Sequence, residues 1–208
     1  MKRSSVIAMT LAFLGIAGAG LYAILALSNI GVTGTGPLIG GAFSLVDTNG
    51  KRVTDADFRG KLMLVFFGYT HCPDVCPTGL QQAADLLAKL GPDAADVVPV
   101  FISVDPARDT PPVMKSYVEN FDPRIVGLTG DAADVASAAK AYRVYFRKAG
   151  SGDDYTIDHS AFVYLMGRNG DFISSFMFNA PVDMMVGELK KQLAAGASRD
   201  TTSGSTKS

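Results

Sequence analysis

The sequence predicts an α/β domain, a mixed β-sheet flanked by helices, and three observations carry that reading. Two short apolar runs, residues 62–68 and 97–104, are nearly continuous and rich in Val, Ile and Phe, as buried strands are. The segments after them repeat apolar residues at helical spacing. Two Asn-Gly pairs, Asn49-Gly50 and Asn169-Gly170, separate strand-like segments where tight hairpin turns belong.

Taken in order, residues 42–46 and 51–54 flank Asp47-Thr48-Asn49-Gly50 and form a hairpin. Residues 62–68 are the first buried strand. Residues 79–90 form a helix, with Leu80, Ala83, Leu86, Leu87 and Leu90 on one stripe. Residues 97–104 are a second buried strand, and 112–121 a helix with Met114, Tyr117, Val118 and Phe121 on one face. A short strand at 125–128 and a helix at 132–142 follow. The stretch 144–157, with Gly150-Ser151-Gly152-Asp153-Asp154, reads as a mobile hairpin insertion. Residues 160–166 and 171–178 form a second hairpin, and a last helix over 181–193 aligns Val182, Met185, Val186 and Leu189. A βαβαβ start with a closing ββα is the order of the thioredoxin-like class.

The domain so defined covers residues 42–194. Residues 29–41, rich in Gly and Thr, read as a flexible linker, and 195–208, rich in Ser, Thr and Gly, as a disordered tail. Before the linker, Lys2 and Arg3 precede an apolar stretch from residue 6 to residue 27. About 20 apolar residues cross a bilayer as a helix. A cleaved signal peptide is the alternative, with Ala17-Gly18-Ala19 as its site. That site falls inside an apolar run longer than the roughly 7–15 residues of a signal core, which favours an uncleaved anchor over 1–28. The basic pair keeps the N-terminus cytoplasmic and places the domain across the membrane, in a bacterium the periplasm.

Residues 1–41 hold two basic and no acidic residues, leaving 17 basic against 20 acidic in the remainder. No basic face for nucleic acid follows from that balance.

Topology locates a site. Strands 62–68 and 97–104, joined through a helix, run parallel and share a carboxyl edge, where ligands bind in open α/β sheets. Cys72 and Cys76, the chain's two cysteines, follow the first strand and Asp105 the second. With strand 160–166 antiparallel to them, His159 lies at the same edge. The cysteine pair can be a static disulfide staple, a redox couple or a metal clamp. In a regular helix, residues four apart hold their β-carbons about 5–6 Å apart, against about 3.5–4.5 Å in a relaxed disulfide. Pro77 suits a first helical position, which makes Cys76 cap-like, puts Cys72 in the loop and keeps a disulfide open. A helix N-terminus lowers a thiol pKa and favours the thiolate a metal needs. With His159 the set becomes two sulfurs and an imidazole, chemistry that selects copper or zinc.

Five segments then carry a resemblance: Tyr69-Thr70-His71-Cys72-Pro73-Asp74-Val75-Cys76-Pro77-Thr78, Val104-Asp105-Pro106-Ala107-Arg108-Asp109-Thr110, Val126-Gly127-Leu128-Thr129-Gly130, Ala141-Tyr142-Arg143-Val144-Tyr145 and Asp158-His159-Ser160. Over roughly residues 37–194 the chain resembles the Sco/SenC family. The resemblance implies a membrane-anchored, thioredoxin-fold metallochaperone rather than an enzyme. It implies Cys72, Cys76 and His159 as ligands of Cu(I) or Cu(II), and reversible oxidation of the cysteine pair. The implied partner is the copper-receiving subunit of cytochrome c oxidase, whose binuclear centre is matured.

Other residues are weighed beside these. Asp105 is a further ligand, an acceptor behind a ligand, or a turn residue before Pro106. Asp158 points away from His159 if both lie in a strand. Arg108 and Asp109 pair with each other or cap the following helix. His71 is an exposed loop histidine and Asp74 a solvated loop residue. Met114, Met166 and Met185 fall at core positions. The alternative function is a thiol–disulfide oxidoreductase, with Cys72 attacking and Cys76 resolving, which reduces an acceptor's cysteines before metallation.

Overall fold

The computed structural model describes residues 39–152 and 154–203. The anchor expected over 1–28 and most of the linker lie outside them. Among the described residues no helix is long and apolar enough to cross a membrane. The end of the expected linker is packed rather than free: Ile39 lies against the core and the Gly40 amide donates to the Ala141 carbonyl at 3.0 Å.

A seven-stranded sheet is built from β1 (Ser44–Asp47), β2 (Arg52–Thr54), β3 (Leu62–Gly68), β4 (Val97–Ser103), β5 (Val126–Thr129), β8 (Phe162–Met166) and β9 (Phe172–Met177) in the order β2-β1-β5-β4-β3-β8-β9. β3, β4 and β5 are parallel, while β1 and β8 flank them antiparallel. β6 (Phe146–Ala149) and β7 (Thr156–His159) form a separate two-stranded antiparallel sheet, so the stretch read as an insertion carries the expected hairpin. The helices are α1 (Val75–Leu90), α2 (Pro111–Val118), α3 (Ala132–Ala141) and α4 (Val182–Ser203).

Strand alternation divides the core into two layers. Leu62, Leu64 and Phe66 of β3 face Leu80, Leu86 and Leu87 of α1, Met114 and Val118 of α2, and Met185 and Leu189 of α4. Met63, Val65 and Phe67 face Val135, Ala138 and Ala139 of α3, together with Tyr142 and Met166. The three methionines placed in the core by pattern are buried there. Pro99 is tolerated in central β4 because β5 pairs only from Val100 onward, leaving the missing N–H at an unpaired position.

Several boundaries differ from the sequence reading by a few residues, as in the helix expected over 112–121 that spans Pro111–Val118, and two differences are informative. α4 runs on through residues 195–203, where a tail was expected. Ser and Thr argue only weakly against helix when the chain continues a helix already docked by Met185 and Leu189. α1 starts at Val75, with Asp74 at the N-cap, so Pro77 sits later in the first turn and Cys76 is helical rather than cap-like. Pro is tolerated there because the first amides of a helix have no intrahelical acceptor.

Candidate metal centre

The carboxyl ends of β3 and β4 open onto one edge, and antiparallel β8 begins there. Three donors converge at this edge. Cys72 leaves β3 through a turn closed by its own amide donating to Tyr69 O at 3.2 Å. Cys76 lies in the first turn of α1, fully buried. His159 ends β7, opposite Phe146 of β6. The two Sγ atoms and an imidazole nitrogen all lie within 4.8 Å of one another, and among the described residues no other His, Cys, Asp or Glu joins the group.

Backbone geometry explains why the sulfurs sit so deep. A side chain at Gly68, the last residue of β3, would put its Cβ 2.5 Å from Cys76 Sγ and 2.7 Å from Phe101 Cε2. Glycine is therefore required for space. Asp74 makes no side-chain cap bond. The Cys72 sulfur instead takes the amides of Asp74 and Cys76 at the helix start.

Both cysteines are free and buried, with no disulfide between them. Cys72 is the more acidic of the two, drawn well below the ordinary thiol pKa chiefly by the hydrogen bond from Cys76, with the two backbone amides adding to it against the cost of burial. Cys76 is driven far upward by the same bond to Cys72, by burial and by the charge next to it, and stays protonated.

The imidazole is set by its other nitrogen. His159 Nδ1 lies 3.1 Å from Ser160 O, an atom that can only accept, so Nδ1 carries the proton and Nε2 presents its lone pair. Nε2 is 3.6 Å from Cys76 Sγ. The Tyr69 ring meets the imidazole edge-on, with centroids 5.9 Å apart. Two ligands on one ion with bonds of about 2.3 Å (S) and 2.0 Å (N) at trigonal angles stand about 3.7 Å apart. The donor set therefore fits copper, which accepts three soft ligands; zinc in structural sites wants a fourth.

The remaining candidates separate. Asp105 is buried, but its carboxylate accepts from Arg108 Nε at 2.5 Å and from Tyr155 Oη at 2.6 Å, and it does not join the donor group. Arg108 and Asp109 do not pair with each other, nor does Asp109 cap α2. Asp109, fully buried, accepts from Thr70 N at 3.0 Å, Thr70 Oγ1 at 2.6 Å and Ser103 Oγ at 2.6 Å, and so ties the cysteine loop to β4. A buried carboxylate is drawn to hydroxyls and amides that satisfy its lone pairs rather than to an arginine already engaged elsewhere. Asp158 points outward to Arg147 at 3.1 Å, as strand alternation requires. His71 stays exposed on the rim, its Nδ1 3.1 Å from Thr70 Oγ1.

Tyr155 and Thr70 were not legible as site residues. The available signal for Tyr155 was period two: Tyr155, Ile157 and His159 alternate with exposed Thr156 and Asp158. The Tyr155 hydroxyl is held above its ordinary pKa first by its bond to Asp105, then by burial.

A thioredoxin-like fold with a dithiol–imidazole site at the sheet's carboxyl edge defines a class of thiol or metal-handling proteins. Within it, the SCO1/SenC family model matches residues 32–194, and the chain belongs to that family. The chain is 47% identical over 149 residues to Protein sco1 of Schizosaccharomyces pombe, covering 69% of this chain and 57% of that one. The structure of ScoI from Bradyrhizobium japonicum with copper bound is 50% identical at a TM-score of 0.70, covering 74% of this chain and 99% of that chain. ScoI from Arabidopsis thaliana, also with copper bound, is 42% identical at a TM-score of 0.71, covering 76% of this chain and 99% of that chain. The chain spans about half the length of the first curated relatives it matches.

Proposed function

We propose that the chain is a copper chaperone of cytochrome c oxidase assembly, holding copper on Cys72, Cys76 and His159 and passing it to the copper-receiving subunit. Residues 1–28 anchor it in a bacterial inner membrane and hold the domain in the periplasm. The observation that carries the reading is the donor geometry: two sulfurs and an Nε2 lone pair within 4.8 Å, close to the spacing of a three-ligand copper site. Family membership supports it. The tether confines the search for an acceptor to the membrane surface and raises the effective concentration there.

Anaerobic titration of the reduced soluble domain tests it. One copper per domain is expected, with a Cu(II)–thiolate charge-transfer band that His159→Ala abolishes. Equal affinity and an unchanged spectrum in the variant would sink the three-ligand site.

A second reading rests on two free cysteines side by side, of which Cys72 is the more acidic. The Cys72 thiolate attacks an acceptor disulfide, its sulfur forms a mixed disulfide, and one acceptor thiolate leaves. Cys76 then loses its proton and displaces the second acceptor sulfur, leaving a Cys72–Cys76 disulfide and a reduced acceptor. Trapping the mixed disulfide in Cys76→Ser with an oxidised oxidase-subunit fragment supports this activity; no trapped species removes it.

A further inference from the structure

His159 reaches the sheet edge because it lies three residues before β8, but no main-sheet hydrogen bond holds the strand that carries it. The β6–β7 hairpin that carries it pairs only with itself, and isolated two-stranded ribbons are marginal in water. Its exact seat against the cysteine loop is therefore set by side chains. Three hydrogen bonds reach it from the cysteine side of the site. Tyr155 Oη donates to Asp105 Oδ1 at 2.6 Å, Arg108 Nη1 donates to Tyr155 O at 3.1 Å, and Ile157 N donates to Tyr69 Oη at 3.2 Å. The Arg108 guanidinium lies 3.6 Å from the Tyr155 ring centroid, and Lys148 Nζ lies 3.5 Å from it.

We propose that Tyr155 is a positioning residue for His159. Its hydroxyl and carbonyl latch the hairpin onto Asp105 and Arg108, the same loop whose Asp109 holds Thr70, two residues before Cys72. Four residues of extended chain, about 13 Å, separate latch from imidazole, and the period of two puts both side chains on one face. One loop that supplies no ligand thus sets the distance between the two halves of the donor set. Asp105 matters to the site through this latch.

The inference rests on the copper reading for only one of its two measurements. Tyr155→Phe keeps the ring and its stack on Arg108, and removes only the hydroxyl that bonds Asp105. In the reduced, metal-free domain, amides of residues 156–159 should exchange about tenfold faster or more, because a hydrogen bond to a carboxylate is lost, while β3 and β4 amides are unchanged. Copper affinity should fall about tenfold, the low end for outer-shell partners of a metal ligand. In a His159→Ala background the same change should have no further effect on affinity. Arg108→Lys, which keeps the charge but loses the fork, should move both measurements in the same direction.

Wild-type exchange at residues 156–159 in both variants overturns the latch. An affinity loss that persists undiminished without His159 also overturns it, since the tyrosine would then act on the domain generally. Faster exchange in a domain whose wild type binds no copper leaves the latch standing and removes the copper reading instead.

Discussion

Gly68→Ala puts one methyl group where the fold has no room, and its cost can be worked from two distances. The new Cβ would lie 2.5 Å from Cys76 Sγ and 2.7 Å from Phe101 Cε2, both on fully buried residues. Non-bonded contacts of this kind relax near 3.5–4.0 Å, so about 1 Å of movement must be found. Phe101 has little to give, with Phe66 at 5.1 Å and Tyr117 at 5.9 Å between ring centroids. Much of the movement therefore falls on Cys76 Sγ, whose separation from His159 Nε2 is 3.6 Å. Overpacking of this size costs roughly 1–3 kcal/mol. For a domain of this length that lowers Tm by about 2–12 °C. A donor displaced by about 1 Å should also cost about tenfold or more in copper affinity, as disturbed ligand support does elsewhere. Thermal unfolding by circular dichroism on the reduced metal-free domain reads the first effect. Competition with a chromophoric Cu(I) chelator reads the second. A variant that melts and binds as wild type does would refute the claim that Gly68 is needed for space beside the sulfur.

Two further outcomes follow from the same geometry. Gly79→Ala is the control: its Cβ would sit 2.1 Å from Phe178 Cε1, in the core layer away from the sulfurs, so Tm should fall by a similar amount. Its copper affinity should stay within about threefold of wild type, and a tenfold loss would show that any strain in α1 disables the site. Binding of copper through both thiolates should release one proton at pH 7, because Cys72 is already ionised and Cys76 is not. The sign is fixed by Cys76, whose proton must leave, so affinity should rise about tenfold per pH unit across pH 7–9. Calorimetry in buffers of different ionisation heat counts the protons; none or two would overturn the assignment of the pair.

Much of the fold was readable because its signals are local. The β3 run 62–68 has the length and branching of a buried strand, and its bounds agree with the structure. The stripe on α1 matches the buried face Leu80, Ala83, Leu86, Leu87 and Leu90. The start of α1 was misplaced because Pro77 is equally at home anywhere in a first turn. The end of α4 was misplaced because a docked helix extends past its own propensity.

Chain order and strand direction alone were enough to bring Cys72, Cys76 and His159 to one edge. A parallel pair shares its carboxyl end, and an antiparallel neighbour must begin there. The sequence by itself thus determined the residue types and the edge they share; that the three donors lie within 4.8 Å of one another is seen in the structure. What holds them was decided only by the tertiary structure. Asp109 turns from an expected partner of Arg108 into the anchor of Thr70, and Asp105 from a candidate ligand into the acceptor of Tyr155. The reason is physical: which buried donor satisfies a carboxylate depends on atoms a few ångströms apart in space, contributed by segments about 40 and 50 residues apart in the chain. No local pattern records that pairing.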